Sequence, residues 1–124
     1  MKDHLDGHKR KHHRKEKLLE ICLFVLLKNE EMHGYRLLER LSEFGFPTDD
    51  VDAGTMYRTL RRMEENSFVE SSWEDSEQGP NRRIYRITDR GLEMLSDHIN
   101  HLQKRMAYLQ KLLDFYHKNT SDRT

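Results

Sequence analysis

The chain has 124 residues, enough for one compact domain with at most a small appended element. Hydrophobic and charged residues each make up 35%, and glycine and proline number only 6 and 2, a composition of a soluble, largely helical protein; the formal net charge of +0 excludes a uniformly basic surface. A single cysteine excludes an internal disulfide or cysteine-cluster zinc site, the apolar runs are too short for a membrane span, and the charged N-terminus is unlike a signal peptide, so a cytoplasmic chain with no membrane partner is expected.

Charge is unevenly distributed: residues 1–17 carry +4, residues 18–91 carry −5 and residues 92–124 carry +1. Seven of the ten basic residues in the middle segment lie between Arg58 and Arg90, so a local basic patch survives on a neutral chain. Residues 1–17 form a basic, histidine-rich arm. His4, His8 and His12 recur at i, i+4 and i+8, which would align them on one helical face as weak metal-ligand candidates. Gly7 disfavours that helix and the neighbouring lysines repel a cation, so an arm reaching DNA phosphates or the minor groove is the favoured reading; metal sensing and no role are the alternatives.

From Leu18 to Leu27 every position except Glu20 is apolar. This predicts a helix buried nearly all round, with its own domain on one side and a partner subunit on the other. Cys22 lies within it and reads as a buried structural thiol. His33 to Leu41 predicts a second, short helix with Leu37, Leu38 and Leu41 inward, ended by Phe44-Gly-Phe-Pro47.

Asp52 then offers an N-cap for a third helix from Ala53 to about Glu65. Met56, Leu60 and Met63 fall at i, i+4 and i+7 and make one apolar stripe, while Thr55, Arg58, Arg61 and Arg62 lie on the opposite face. Guanidinium forks suit phosphates and the O6/N7 edge of guanine, and a helix fits a major groove. Helix, turn and helix at this spacing describe a helix-turn-helix.

After Asn66 the period changes from 3.6 to 2, and Phe68–Trp73 and Arg83–Thr88 read as two strands of a hairpin. The polar loop from Glu74 to Asn81 joins them, and Arg82 and Arg83 stand on the return side. Three helices and a basic hairpin give residues 18–91 the order of a winged helix-turn-helix, whose wing tracks the phosphate backbone or minor groove.

The helical period returns with Leu92. Leu92, Leu95, Ile99, Leu102, Met106, Leu109, Leu113 and Tyr116 form an uninterrupted a/d series, and Tyr108, Leu112 and Phe115 add a second stripe. Two stripes on a helix appended to a complete small domain favour a homodimer held by residues 92–117, with Leu19 and Leu23 joining the interface and residues 118–124 a polar tail. His98, His101 and His117 fall on the exposed side of this helix. The fold class expected is mainly α with a small β-hairpin: a winged helix-turn-helix plus a long C-terminal dimerisation helix.

Three motifs together, His33-Gly-Tyr-Arg-Leu-Leu, Gly54-Thr-Met-Tyr-Arg-Thr-Leu-Arg-Arg-Met-Glu and Gly79-Pro-Asn-Arg-Arg-Ile-Tyr-Arg-Ile-Thr-Asp-Arg-Gly91, resemble the PadR family of bacterial transcriptional regulators. The resemblance runs from about Leu18 to Tyr116, and the single last helix is similar to the short-tailed subgroup. It implies a homodimeric repressor whose last helix crosses the partner's first helix, with Tyr57 and Tyr35 at the DNA backbone. It also implies an inducer near the dimer interface, commonly a phenolic acid or hydrophobic drug; Tyr108, Leu112, Phe115 and Tyr116 are the lining residues for such a pocket, although aromatics at this spacing also serve as core. Ala53 stands where the family often has proline, Ile84 replaces one of two wing aromatics, and the acidic stretch from Glu70 to Glu77 near the wing points to modest, salt-dependent DNA affinity.

No nucleophile has a base partner at recognisable spacing and no phosphate-cradling glycine loop occurs, so neither an enzyme nor a cofactor is expected. The expected DNA contacts are Tyr35, Thr55, Tyr57, Arg58, Arg61, Arg62, Asn81, Arg82 and Arg83, on a pseudo-palindromic double-stranded operator. The rivals are a metal-responsive repressor using the His4, His8 and His12 cluster, and a winged-helix protein-interaction module without DNA binding. Basic groups at both groove-facing sites argue against the last.

Overall fold

A computed structural model describes residues 16–45, 51–74, 79 and 82–122. The arm bearing His4, His8 and His12, and Asn81, lie outside the described residues. Helix α1 is described over residues 16–27. It is followed by β1 (Met32–His33), α2 (Gly34–Leu41) with a 3-10 turn (Ser42–Phe44), α3 (Ala53–Glu65), β2 (Val69–Glu74), β3 (Arg82–Ile87) and α4 (Asp89–Asp122). No helix among the described residues is long and apolar enough to cross a membrane.

The hairpin is part of a three-stranded antiparallel sheet of order β1-β3-β2 rather than a two-stranded ribbon. β1 is two residues long, too short to show an alternation, but pairing Met32 with Tyr85 and His33 with Ile84 straps the start of α2 to the wing. In the hairpin itself Val69 faces Ile87, Ser71 faces Tyr85 and Trp73 faces Arg83. Since side chains alternate across a strand, Val69, Ser71, Trp73, Arg83, Tyr85 and Ile87 share one face of the sheet.

The core joins Leu19, Leu23, Phe24 and Leu27 of α1, Leu37 and Leu41 of α2, Met56, Leu60 and Met63 of α3, Phe68, Val69 and Tyr85 of the sheet segment, and Leu95 of α4. Phe24 and Phe68 meet at 5.8 Å between ring centroids with planes 58° apart, the tilted arrangement that aromatic quadrupoles favour. The apolar circumference of α1 is therefore covered by its own chain on more sides than its pattern implied; Val25 is the exposed exception. Leu19, Leu23 and Leu95, expected at a subunit interface, are instead buried in this core. Cys22 is only half-buried, and burial pushes its thiol pKa up, away from reactivity.

Caps fix the ends of α3 and the start of α4. Asp52 accepts the Thr55 N–H at 2.7 Å, and this hydrogen bond holds its carboxyl below the ordinary carboxylate range. At the other end the Phe68 N–H bonds the Met63 carbonyl at 2.8 Å and the Ser67 N–H bonds the Glu64 carbonyl at 3.0 Å, with Ser67 at φ 63°. That is a Schellman closure with serine where glycine is more usual. Thr88 then caps α4: its hydroxyl accepts the Gly91 N–H at 3.0 Å and donates to the Ser67 carbonyl at 2.6 Å. Gly91 is required by proximity, because a Cβ there would lie 2.1 Å from the Phe68 carbonyl oxygen.

α4 begins at Asp89, three residues before the expected boundary, and extends past 117 to Asp122. Its first turns pack on the domain, where His98 is half-buried rather than exposed: its ring lies 6.0 Å from that of Phe24, and its Nε2 is 3.3 Å from Glu20 on α1. Beyond residue 100 the helix projects for about 33 Å at 1.5 Å per residue. Leu102, Met106, Tyr108, Leu109, Leu112, Leu113, Phe115 and Tyr116 are all exposed on this projection.

Candidate nucleic-acid interface

Four residues of α3, Met56, Thr59, Leu60 and Met63, are buried, and they turn the opposite side of the helix outward. Thr59 is a polar member of that stripe, accommodated because its hydroxyl donates to the Thr55 carbonyl at 3.0 Å. Arg58 and Arg61 are exposed on the outward side, whereas Thr55 and Arg62 sit half-buried on its flank. Arg58 donates to the Thr55 hydroxyl at 3.1 Å, so the threonine steadies the arginine. Arg62 meets a carboxylate of the protein: its Nη1 lies 3.2 Å from Glu16 on α1.

Beside the outward side of α3 lies an open cleft of about 510 Å³, walled by α3, the start of α2 and the wing. Tyr35, Tyr57, Trp73 and Tyr85 give it aromatic surface, and Arg61, Arg82 and Arg83 give it positive charge. Tyr57 reaches it because Gly34 has no side chain: a Cβ on Gly34 would stand 2.5 Å from the Tyr57 hydroxyl oxygen and 2.7 Å from Cε1. Burial raises the pKa of Tyr85, which keeps this phenol neutral.

Tyr35 is held from two directions. The His33 ring stacks on it with centroids 5.7 Å apart and planes 24° apart, and the Arg82 guanidinium stands 5.2 Å from its centroid. Arg82 Nη1 also donates to the Tyr35 hydroxyl at 3.2 Å. His33 in turn pairs with Glu74 at 2.8 Å, across the hairpin from Arg82. His33, the N-cap residue of α2, makes no side-chain cap to the first turn of that helix.

Arg83 is arranged otherwise. Its Nε donates to the Ser71 hydroxyl at 2.7 Å and its Nη2 lies 3.3 Å from the Glu64 carboxylate. Ser71 donates to the same carboxylate, closing a three-membered network, and the guanidinium is 5.6 Å from the Trp73 ring centroid. Tyr35, Tyr57, Arg61, Arg82 and Arg83 thus line one cleft, Arg83 within its network with Ser71 and Glu64, and Arg58 is on the adjoining helix face; Arg62 pairs with Glu16. Glu64, Trp73, Tyr85, His33 and Gly34 were not singled out from the sequence. His33, Gly34, Glu64 and Tyr85 lie within the three quoted motifs, and the period-2 alternation places Trp73 and Tyr85 on one sheet face. Among the described residues no group of three or more histidine, cysteine, aspartate or glutamate side chains is arranged to hold a metal.

An arginine-bearing helix set beside a basic three-stranded wing defines a winged helix-turn-helix module. A family model described as the transcriptional regulator PadR-like family matches residues 23–97, and the chain belongs to that family. It is thereby a DNA-binding transcriptional regulator rather than an enzyme. A solved PadR-like transcriptional regulator from Bacillus cereus is similar at 33% identity and TM-score 0.69, over 78% of this chain and 92% of that one. A PadR-like transcription factor from Bacteroides fragilis shares the fold at TM-score 0.74 and 24% identity, over 84% of this chain and 98% of that one. A curated protein of Lysinibacillus sphaericus is 24% identical over 98 residues, 79% of this chain and 86% of the relative.

Proposed function

We propose that the chain is a homodimeric repressor that reads a pseudo-palindromic operator and is released by a hydrophobic or aromatic small molecule. The observation that carries the DNA contact is the convergence of Tyr57 and Arg61 on α3 with Tyr35 and Arg82 at the base of the wing. Arg58 and Arg61 enter the major groove to meet base edges or phosphates, while Tyr35, Tyr57, Arg82 and the uncapped turn of α2 seat the adjoining backbone.

Dimerisation is supported by the projecting part of α4, which leaves an a/d series from Leu102 to Tyr116 uncovered. Isolated helices of this kind are marginal in water without a packed apolar face. A second copy covers this one and sets two α3 helices on successive major-groove faces. Tyr108, Leu112, Phe115 and Tyr116 remain the candidate effector lining, since they stand exposed on the same projection.

A gel-shift titration with DNA from upstream of the protein's own gene, against random duplex of equal length, tests the reading. Specific binding that Arg58→Ala and Arg61→Ala each weaken by about ten-fold, as loss of one charge-assisted contact predicts, supports it. Binding no tighter than to random DNA and indifferent to both substitutions refutes it.

A further inference from the structure

We propose that Glu64 is a positioning residue: it pairs with Arg83 at the base of the wing and so withholds that guanidinium from phosphate, which lowers the sequence-independent part of the chain's affinity for DNA. The inference rests on the DNA-binding reading above and concerns one residue that carries no positive charge.

Glu64 lies in the last turn of α3 and faces the sheet. Its carboxylate accepts from the Ser71 hydroxyl and meets Arg83 Nη2 at 3.3 and 3.5 Å, while Arg83 Nε is taken by Ser71 at 2.7 Å. Two of the donor groups in the guanidinium fork are therefore committed to the protein. Among the described residues, neighbouring Arg82 meets only the hydroxyl and ring of Tyr35, both neutral. Two adjacent arginines thus have different electrostatic status, which their sequence does not reveal.

Both members of the Glu64–Arg83 pair are partly exposed, at 31% and 43% of the side chain, and such pairs contribute little to stability. Their geometric effect is larger. The network ties the recognition helix to β2 and β3 at Ser71, and it sets the guanidinium beside Trp73. The carboxylate of this pair lines the cleft proposed to face DNA. Neutralising Glu64 frees a cation there, and a freed cation beside a phosphate backbone raises affinity for every sequence alike.

Glu64→Gln keeps the side-chain shape and a carbonyl acceptor for Ser71 while removing the charge. On random-sequence duplex the plot of log affinity against log salt is expected to steepen by about 0.9, the increment for one added phosphate contact. At 0.1 M salt this corresponds to about eight-fold tighter binding to random duplex and to operator alike, with the ratio between them unchanged. Glu64→Gln combined with Arg83→Gln is expected to return the slope to the wild-type value. An unchanged slope in Glu64→Gln overturns the proposal. So does a steepened slope that persists in the double variant, because removal of acidic repulsion alone would then explain it. A wild-type chain that discriminates operator from random DNA while Glu64→Gln behaves identically refutes this inference and leaves the DNA-binding reading standing; a wild-type chain with no salt-dependent DNA binding overturns both.

Discussion

Replacing Gly34 by alanine inserts a methyl group where the Tyr57 ring now lies, 2.5 Å from its hydroxyl oxygen, 2.7 Å from Cε1 and 2.9 Å from Cζ. Ordinary non-bonded contact needs about 3.5 to 4.0 Å, so the ring has to retreat by about 1 Å. It can do so, because Tyr57 is 41% exposed and rotates toward solvent without opening the core. Alanine also suits a helical backbone better than glycine, by up to about 1 kcal/mol in a helix interior and less at the first turn. The variant is therefore expected to melt at or slightly above the wild-type temperature while binding operator DNA more weakly. A displaced hydroxyl forfeits a hydrogen bond to phosphate, worth about 1.5 to 3 kcal/mol for a charged partner, which is ten-fold or more in affinity. Fluorescence anisotropy with labelled operator measures this, and Tyr57→Phe supplies the comparison. If Gly34 acts through Tyr57, the double variant binds no more weakly than Tyr57→Phe alone. Additive losses, or a Gly34→Ala protein that binds like wild type, would refute the reasoning.

Arg82→Ala is expected to reduce the salt slope of DNA binding by about 0.9, since among the described residues its guanidinium meets no carboxylate; an unchanged slope places it off the backbone. Leu109→Glu puts a charge in the middle of the exposed a/d series of α4; on the proposed dimer, sedimentation is expected to give a dimeric wild type and a monomeric variant, with the helical signal of the winged domain kept. Asp52 has a folded-state pKa below its ordinary 3.8, so its capping contribution is present above pH 3.8 and is lost as pH falls through the lower folded value. Asp52→Asn retains an N-cap but not the titration, so the melting temperature of the wild type should fall toward that of the variant below pH 3.8; parallel curves would contradict it.

Much of the architecture was legible because it is written in local patterns. The Asp52 cap, the stripe of Met56, Leu60 and Met63, the switch to period 2 after Asn66 and the apolar series on the last helix each follow from spacing, and the arginines on the outer side of α3 follow from the same wheel. The three quoted motifs carried the family. What spacing could not supply was which partner each side chain meets. Arg62 belongs to the outward arc of an ideal wheel, yet Glu16 from a distant helix claims it. Leu19, Leu23 and Leu95 carry the hydrophobicity an interface needs, but the domain closes over them first.

The sequence by itself determined the element types, the recognition helix and the membership of the chain in its family, because helical and strand periods and caps depend on neighbours a few residues away. Only the tertiary structure decided that Gly34 makes room for Tyr57, that a two-residue strand ties α2 to the wing, and that Arg82 and Arg83 have different partners. Those outcomes depend on groups 12 to 53 residues apart, and charge compensation acts through space rather than along the chain.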